Sequence, residues 1–412
     1  MKEHPILQSK KNKIEVLKIG YLSFISYALN GIFKLLLVCI LFLNVDSLNA
    51  KDEVTFESLS DTSLQVEKLE TSQKSSFSND FYTTELIQIS APGADLVLHG
   101  SLTIPTNKKQ FPAVVLINDN GPQTRNNDLH GVAVFEILAD FFGRNGIAVL
   151  RYDKRGVGSS TGNFDNATIQ DFGNDATAAL QWLKKKLGSQ SQQIGILGHG
   201  EGTFAASLTC KLGGNPDFMI WMGGSPLRGD KALLEQNSKL LKAAGIQDST
   251  VNKFVDLVHI FSQIIRFEKD NTLALDQINH SIQNQSIVFT AKEKSLLPLS
   301  KLELMALATQ MTSPWIRSFL SFNPLKHLRE CKIPFLALFA EKDHETPLKN
   351  NIEKLKAFAN ENENDRIVIK ELKDHNHLFQ KCKSGTIEEY KEIDSGLSPE
   401  VLNILSNWIK AQ

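Results

Sequence analysis

Cysteine is scarce: there are four in 412 residues, and no two form a Cys-x-x-Cys pair. That excludes a disulfide scaffold and leaves nothing to build a zinc ribbon or a thioredoxin-like redox site. An excess of one charge is also missing, since 45 Lys and Arg face 46 Asp and Glu, a formal net charge of −1. A nucleic-acid binder would draw its affinity from clustered basic residues, so that class is set aside. The chain carries no P-loop, no Gly-x-Gly-x-x-Gly fingerprint and no internal repeat. What is present is a globular composition, 42% hydrophobic and 22% charged, close to the soluble average. At about 150 residues per unit the length suggests two to three units, or one α/β domain with an insertion.

Long apolar runs are confined to the start. A Lys-rich stretch, Met1 to Lys18, precedes Ile19 to Phe33, Lys34 and the run Leu35 to Leu43; Asp46-Ser47-Leu48-Asn49-Ala50 closes the segment. A basic, then apolar, then small-residue order predicts an export signal over residues 1–50, cleaved after Ala50, with Leu48 large for the −3 position. The competing reading is an uncleaved membrane anchor, because Ile19 to Leu43 spans 25 residues with one charge. Cys39 is followed by more apolar residues, a poor context for lipoprotein processing. Residues 51–80, rich in Ser, Thr, Glu, Asp and Lys, predict a flexible polar tether. An exported chain would keep Cys210, Cys331 and Cys382; three is odd, so at least one stays free or pairs between chains. Cys210 is expected in the core, and the oligomeric state is left open.

From about Phe81 the pattern is globular. Thr84–Ile89 and Leu96–Ile104 predict an antiparallel pair turning at Pro92-Gly93. Apolar runs at Ala113–Ile117, Ile147–Tyr152, Gln193–Leu197, Phe218–Met222, Phe335–Phe339 and Ile367–Leu372 predict strands covered on both faces, as in a parallel sheet. Helical periodicity falls at Val132–Arg144, Thr168–Lys186, Glu201–Leu212, Leu348–Asn360 and Pro399–Lys410. The alternation predicts a doubly wound α/β domain over 81–412. Residues 226–329 lack strand patterns and predict a helical cap, with helices near Ala232–Ala244, Thr250–Phe267 and Leu302–Thr309. Such a cap belongs over the C-terminal strand ends, where ligands bind in open α/β sheets. Trp315, Phe319 and Phe322 lie beside its return and are candidates for an apolar pocket wall.

Gly198-His199-Gly200-Glu201-Gly202 follows a predicted strand and opens a predicted helix, the context of a Gly-x-Ser-x-Gly nucleophile elbow. The central residue is Gly200. Arg151-Tyr152-Asp153-Lys154-Arg155-Gly156-Val157-Gly158-Ser159-Ser160-Thr161-Gly162, Gly121-Pro122-Gln123, Glu341-Lys342-Asp343 and Asn376-His377-Leu378-Phe379-Gln380 complete a set. Together these stretches resemble the α/β-hydrolase superfamily, in particular bacterial esterases of the serine aminopeptidase-like type, over about Phe81 to Gln412. The resemblance implies an α/β-hydrolase fold, a mostly parallel doubly wound sheet with a helical cap. It implies Gly200 at the nucleophile position, Asp343 as the acid and His377 as the base, with Glu345 a rival for the acid and His375 and His344 rivals for the base. It implies an oxyanion hole from the Glu201 N–H and the Asp119–Asn120 region.

Two departures matter. Gly200 has no side chain to carry an acyl group. Asp119 stands where the related loops read Gly-Ser-Gly-Pro-Gln, and a carboxylate there would repel a developing oxyanion, by on the order of 4 kcal/mol at about 4 Å. Ser159 and Ser160 follow a different strand and read as turn residues. The expectation is an exported pseudo-hydrolase with a pocket for an ester-like or acyl ligand, with no metal, no cofactor and no nucleic-acid partner. Membrane contact is expected only if the N-terminal segment stays attached. The alternatives are a carboxylic ester hydrolase using His377 and Asp343 to activate water, and an Asp119–His377 acid–base pair. On this reading His377→Ala costs about 1–2 kcal/mol at most, and Gly200→Ser alone restores a nucleophile.

Overall fold

The computed structural model describes residues 76–412 except 92–94, 192, 285–286, 298, 363–365, 391 and 394–395. The expected export segment, most of the expected tether and the turn at Pro92-Gly93 lie outside the described residues. Eleven strands are described: β1 (Ser76–Ser78), β2 (Tyr82–Ser90), β3 (Val97–Pro105), β4 (Ala113–Ile117), β5 (Asp128–Leu129), β6 (Val132–Ala133), β7 (Ala148–Tyr152), β8 (Ile194–His199), β9 (Met219–Met222), β10 (Phe335–Ala340) and β11 (Ile367–Leu372). Nine of them form one sheet in the order β1-β2-β3-β7-β4-β8-β9-β10-β11. The pairs β1/β2, β2/β3 and β3/β7 are antiparallel, and every pair from β7 to β11 is parallel. The tether expected to reach Asp80 therefore gives way at Ser76, where backbone pairing with Thr83–Glu85 captures the chain.

Helices cover both faces of the sheet, which is why its central strands read as unbroken apolar runs. One face carries α1 (Val134–Arg144), whose Phe135, Leu138 and Phe142 pack on Val114, Leu116 and Leu338 together with the C-terminal helix Pro399–Lys410. The other carries α2 (Ile169–Leu187), with Phe172, Leu180 and Leu183 on Val115, Leu150 and Ile196. Thr168 and Asp171 form a capping box that starts α2, satisfying two otherwise unpaired N–H groups. The short helix α3 (Gly202–Leu208) follows β8 directly. It lies so close to β4 that a Cβ on Gly202 would collide with the Ile117 carbonyl.

Among the described residues, the region expected to form a cap has helices joined by loops and no strand. It comprises α4 (Gly229–Ala243), α5 (Asp248–Phe267), α6 (Asn271–Gln283), α7 (Ala291–Leu296), α8 (Lys301–Met311), α9 (Pro314–Ser321) and α10 (Pro324–Leu328). Asp270, Thr290, Ser300 and Ser313 cap α6 to α9 through side-chain oxygens. The cap has its own core of Phe254, Phe261, Ile265, Leu304, Leu307, Ile316 and Phe319, and it meets the domain through Phe204 on α3. Cys210, just beyond α3, is disulfide-bonded to Cys331, just beyond α10, with Cα atoms 5.6 Å apart. The last helices are α11 (Leu348–Glu361), α12 (Ile387–Tyr390) and α13 (Pro399–Lys410).

Candidate functional site

The turn between β8 and α3 holds Gly200 at φ +48°, a left-handed conformation that disfavours a side chain. Its N–H donates to the Met222 carbonyl (2.9 Å) and its carbonyl accepts from Thr203 Oγ1 (2.7 Å), so the strained turn is fixed at both ends. Asp343 follows β10 and His377 follows β11, which brings both loops beside the elbow. His377 Nδ1 is 2.7 Å from Asp343 Oδ2. Asp343 Oδ1 accepts from the N–H groups of Glu345 (2.7 Å) and Thr346 (2.8 Å), which aims the carboxylate at the ring. His375 is spent elsewhere, between the Lys373 carbonyl and Ser398 Oγ, and His344 reaches the Ser384 carbonyl. The structure thus brings Asp343 and His377 into contact beside the Gly200 turn and keeps His375 and His344 out of that contact.

Asp119 departs from expectation. Its carboxylate fills the place a serine hydroxyl would take, as a Cβ built on Gly200 would overlap its atoms. Oδ2 lies 3.0 Å from His377 Nε2, and Oδ1 accepts the Glu201 N–H at 2.8 Å. The carboxylate therefore takes up the Glu201 N–H that the resemblance implies as an oxyanion donor, rather than standing about 4 Å away. Gly200 and Asp119 are complementary: the glycine leaves open the space that the Asp119 carboxylate fills.

A buried polar chain supports this arrangement. The Asp119 N–H donates to Asn127 Oδ1 (2.9 Å), which leaves Asn127 Nδ2 to donate to His199 Nδ1 (3.1 Å). His199 Nε2–H then donates to the His377 carbonyl (3.0 Å). Lys154 Nζ donates to the Asp119 carbonyl at 2.5 Å and lies 3.7 Å from Glu201 Oε2, whose other oxygen accepts from Trp315 Nε1 at 2.7 Å. Sequence reasoning passed over Asn127 and Lys154; Lys154 sits at the variable position of its motif, so spacing gave no reason to single it out.

The titrations follow. Burial alone would lower the His377 pKa, but Asp343, Glu345 and the Asp119 hydrogen bond hold it well above the usual value. Burial would raise Asp119, yet the His377 hydrogen bond, the two imidazoles and the Glu201 N–H keep it well below the usual carboxylate range. His377 is thus an imidazolium clamped between two carboxylates. Removing it would strand two buried carboxylates at a cost of about 3–5 kcal/mol, so His377→Ala should cost more than the roughly 1–2 kcal/mol expected from sequence. Glu345, 4.0 Å from His377 Nε2 on the cleft side, is pushed up to about 7, first by burial and then by Asp119 and Asp343.

Asp119, His199 and His377 each offer a ligand atom within 4.8 Å of the others. They fit a metal ion poorly. The His199 Nδ1 lone pair is taken by Asn127. The two imidazoles are stacked, centroids 4.9 Å apart and planes 28° apart, so their in-plane lone pairs run side by side instead of converging on one ion.

Above these groups opens a narrow cleft, lined by Asp119, Asn120, Gly200, Glu201, Trp315, Phe319, Glu345 and His377 among others. Of the residues expected at the site, Asp119, Asn120, Gly200, Glu201, Trp315, Phe319 and His377 line it, and Asp343 touches it only through His377. Phe322 is not on the lining and packs instead on Phe204 and His327. Ser159 and Ser160 serve the turn around Asp153, to which the Ser159 N–H and Ser160 Oγ donate.

Residues 94–209, from β3 through α3, match the X-Pro dipeptidyl-peptidase family (S15 family). Esterase EstD of Thermotoga maritima is 23% identical over 314 residues, 76% of this chain. The chain covers 65% of the length of that relative. Among solved structures, the Pyrococcus furiosus esterase Pf2001 gives a TM-score of 0.48 at 14% identity, covering 80% of this chain and 91% of that one. The α/β hydrolase GrgF from a Penicillium species gives 0.48 at 15% identity, covering 80% and 98%.

Proposed function

We propose that this member of the α/β-hydrolase superfamily is a ligand-binding protein on an esterase scaffold that forms no acyl-enzyme. One observation carries the reading: the Asp119 carboxylate sits at the nucleophile position with Oδ1 on the Glu201 N–H and Oδ2 on His377. Acyl transfer needs a nucleophile, a free base and an open oxyanion hole. Here the hydroxyl is absent, the base is held protonated and one hole donor is filled. Activation of water by His377 would need a space that Asp119 occupies. The cleft itself is intact, walled by Trp315, Phe319 and Phe204, which is what binding requires. We further propose that the protein is exported; the residues 1–50 pattern and the Cys210–Cys331 disulfide support that placement.

The test is turnover of short aryl esters, with a fluorophosphonate probe read by intact mass. The expected result is no probe adduct and no hydrolysis above that of a Glu345→Gln, His377→Gln double variant. Saturable turnover that the double variant loses would overturn the proposal.

A further inference from the structure

Three acceptors converge on the cleft. Asp119 closes its floor with an ionised carboxylate. Glu345 projects from the loop after β10 with its side chain 12% exposed, and its carboxyl receives no hydrogen bond among the described residues. Gln236, on the inner face of α4, is 9% exposed, lines the same cleft and likewise leaves its carboxamide without a partner among the described residues. A polar group buried to that degree is costly unless something pairs with it. Among the described residues lining the cleft, His377 is the basic one, and Asp343 and Asp119 already neutralise it. Lys154, beneath the floor, is committed to Glu201 and the Asp119 carbonyl.

The opposite wall is aromatic. Trp315 and Phe319 stack with centroids 5.1 Å apart and planes 8° apart, and Phe204 lies 5.6 Å from Phe319. The Trp315 N–H is fixed on Glu201, which pins the indole in place. An aromatic face beside two polar groups without a hydrogen-bond partner among the described residues, Glu345 and Gln236, and beside the ionised Asp119 favours a cation. A carboxylate or an ester carbonyl would meet Asp119 and Glu345 with like charge or lone pairs. A primary ammonium brings three N–H donors, matching the three acceptors. We propose that the cleft binds a small primary arylalkylammonium or alkylammonium ion, its head among Asp119, Glu345 and Gln236 and its body against Trp315 and Phe319. The proposal rests on the reading of the cleft as a binding site without acyl transfer.

Binding should be linked to pH. Glu345 faces His377, Asp119 and Asp343 inside the cleft; on its other side lie Tyr390, His344 and Glu388, across a second hollow. An ammonium favours the ionised form of Glu345, whose carboxyl is otherwise pushed up to about 7. Affinity therefore rises up to about tenfold per pH unit below 7 and levels off above it.

Calorimetry on the full chain, with 2-phenylethylammonium, 2-phenylethanol, the N,N,N-trimethyl analogue and 3-phenylpropionate as probes, tests this. At pH 8 the primary ammonium should bind at least about tenfold more tightly than the alcohol or the trimethyl analogue, with no measurable heat from the carboxylate; that gap is the size of one charge-assisted contact. Glu345→Gln should weaken the ammonium about tenfold and flatten its pH dependence, with thermal melting confirming the fold. Gln236→Leu, which leaves both carboxylates, should weaken the ammonium more than the alcohol. Equal or tighter binding of the alcohol or carboxylate overturns the ammonium proposal and leaves the binding reading standing. The absence of ammonium binding up to millimolar concentration by the folded chain also overturns it. Steady hydrolysis of phenylalanine methyl ester, lost in the Glu345→Gln, His377→Gln double variant, would instead overturn the binding reading itself.

Discussion

At the scale of single residues, Asp119 and Gly200 constrain each other. Adding Cβ and Oγ at Gly200 puts a side chain into the Asp119 carboxylate. Gly200→Ser alone should therefore lose stability twice, by about 1–3 kcal/mol from left-handed backbone strain and about 1–3 kcal/mol from overpacking. It should take no fluorophosphonate label, contrary to the expectation from sequence. Asp119→Gly with Gly200→Ser should label, because it clears the Glu201 N–H and returns His377 to one carboxylate partner, letting it act as a base. Equal labelling of the single and double variants would mean that Asp119 swings aside freely. Glu345 supplies a second handle. Its pKa rises from 4.5 to about 7 in the folded protein, so its favourable contribution is complete below about pH 4.5 and is lost as pH climbs to 7. Glu345→Gln should match the parent near pH 4.5 and exceed it by about 3 kcal/mol at pH 8 in urea unfolding. A variant no more stable at pH 8 would show that the carboxyl is ionised and paired.

At the scale of elements, the strands and flanking helices were legible because each is a continuous apolar run or a clean amphipathic repeat. Ile367–Leu372 and Pro399–Lys410 end where the sequence pattern ends. Strand β6 was read as the first turn of α1, since a two-residue ladder carries no periodicity. In the cap, α6, α7, α9 and α10 were missed; they are short or polar, and their limits are set by capping side chains and Pro314 and Pro324 at first-turn positions. The approach of the Asp343 and His377 loops to the Gly200 turn was legible through motif order. Asp119 was legible in part: its pairing with His377 was among the alternatives, but only the three-dimensional crossing of the β4 loop over the elbow puts its other oxygen on the Glu201 N–H. The disulfide lay beyond sequence for the same reason. It joins the end of α3 to the end of the cap across a separation of 121 residues, a loop long enough to restrict the unfolded chain strongly. Cys331→Ser should lower unfolding free energy by about 2–4 kcal/mol. A change under about 0.5 kcal/mol would mean that the cap unfolds as a unit independent of the sheet.

At the scale of the whole molecule, three apolar cores stand in series, two on the faces of the sheet and one inside the cap. The Cys210–Cys331 bridge ties the domain to the cap's exit. Such a bridge persists where thiols are oxidised, which argues for a compartment beyond the cytoplasm. Among the described residues no helix is long and apolar enough to cross a membrane, so export would rest on residues 1–50 alone. The two features make a joint prediction. Protein isolated from its native host should begin near Lys51 and leave the cytoplasmic fraction. Thiol alkylation before reduction should spare Cys210 and Cys331. Cys382, the free cysteine among the described residues, has its thiol pushed up to about 11, chiefly by burial, so it should react only slowly at neutral pH. An intact Met1 in the membrane fraction with the bridge closed would make the N-terminal segment an anchor and keep the export proposal. Rapid alkylation of Cys210 and Cys331 in protein drawn from the cytoplasm would remove it.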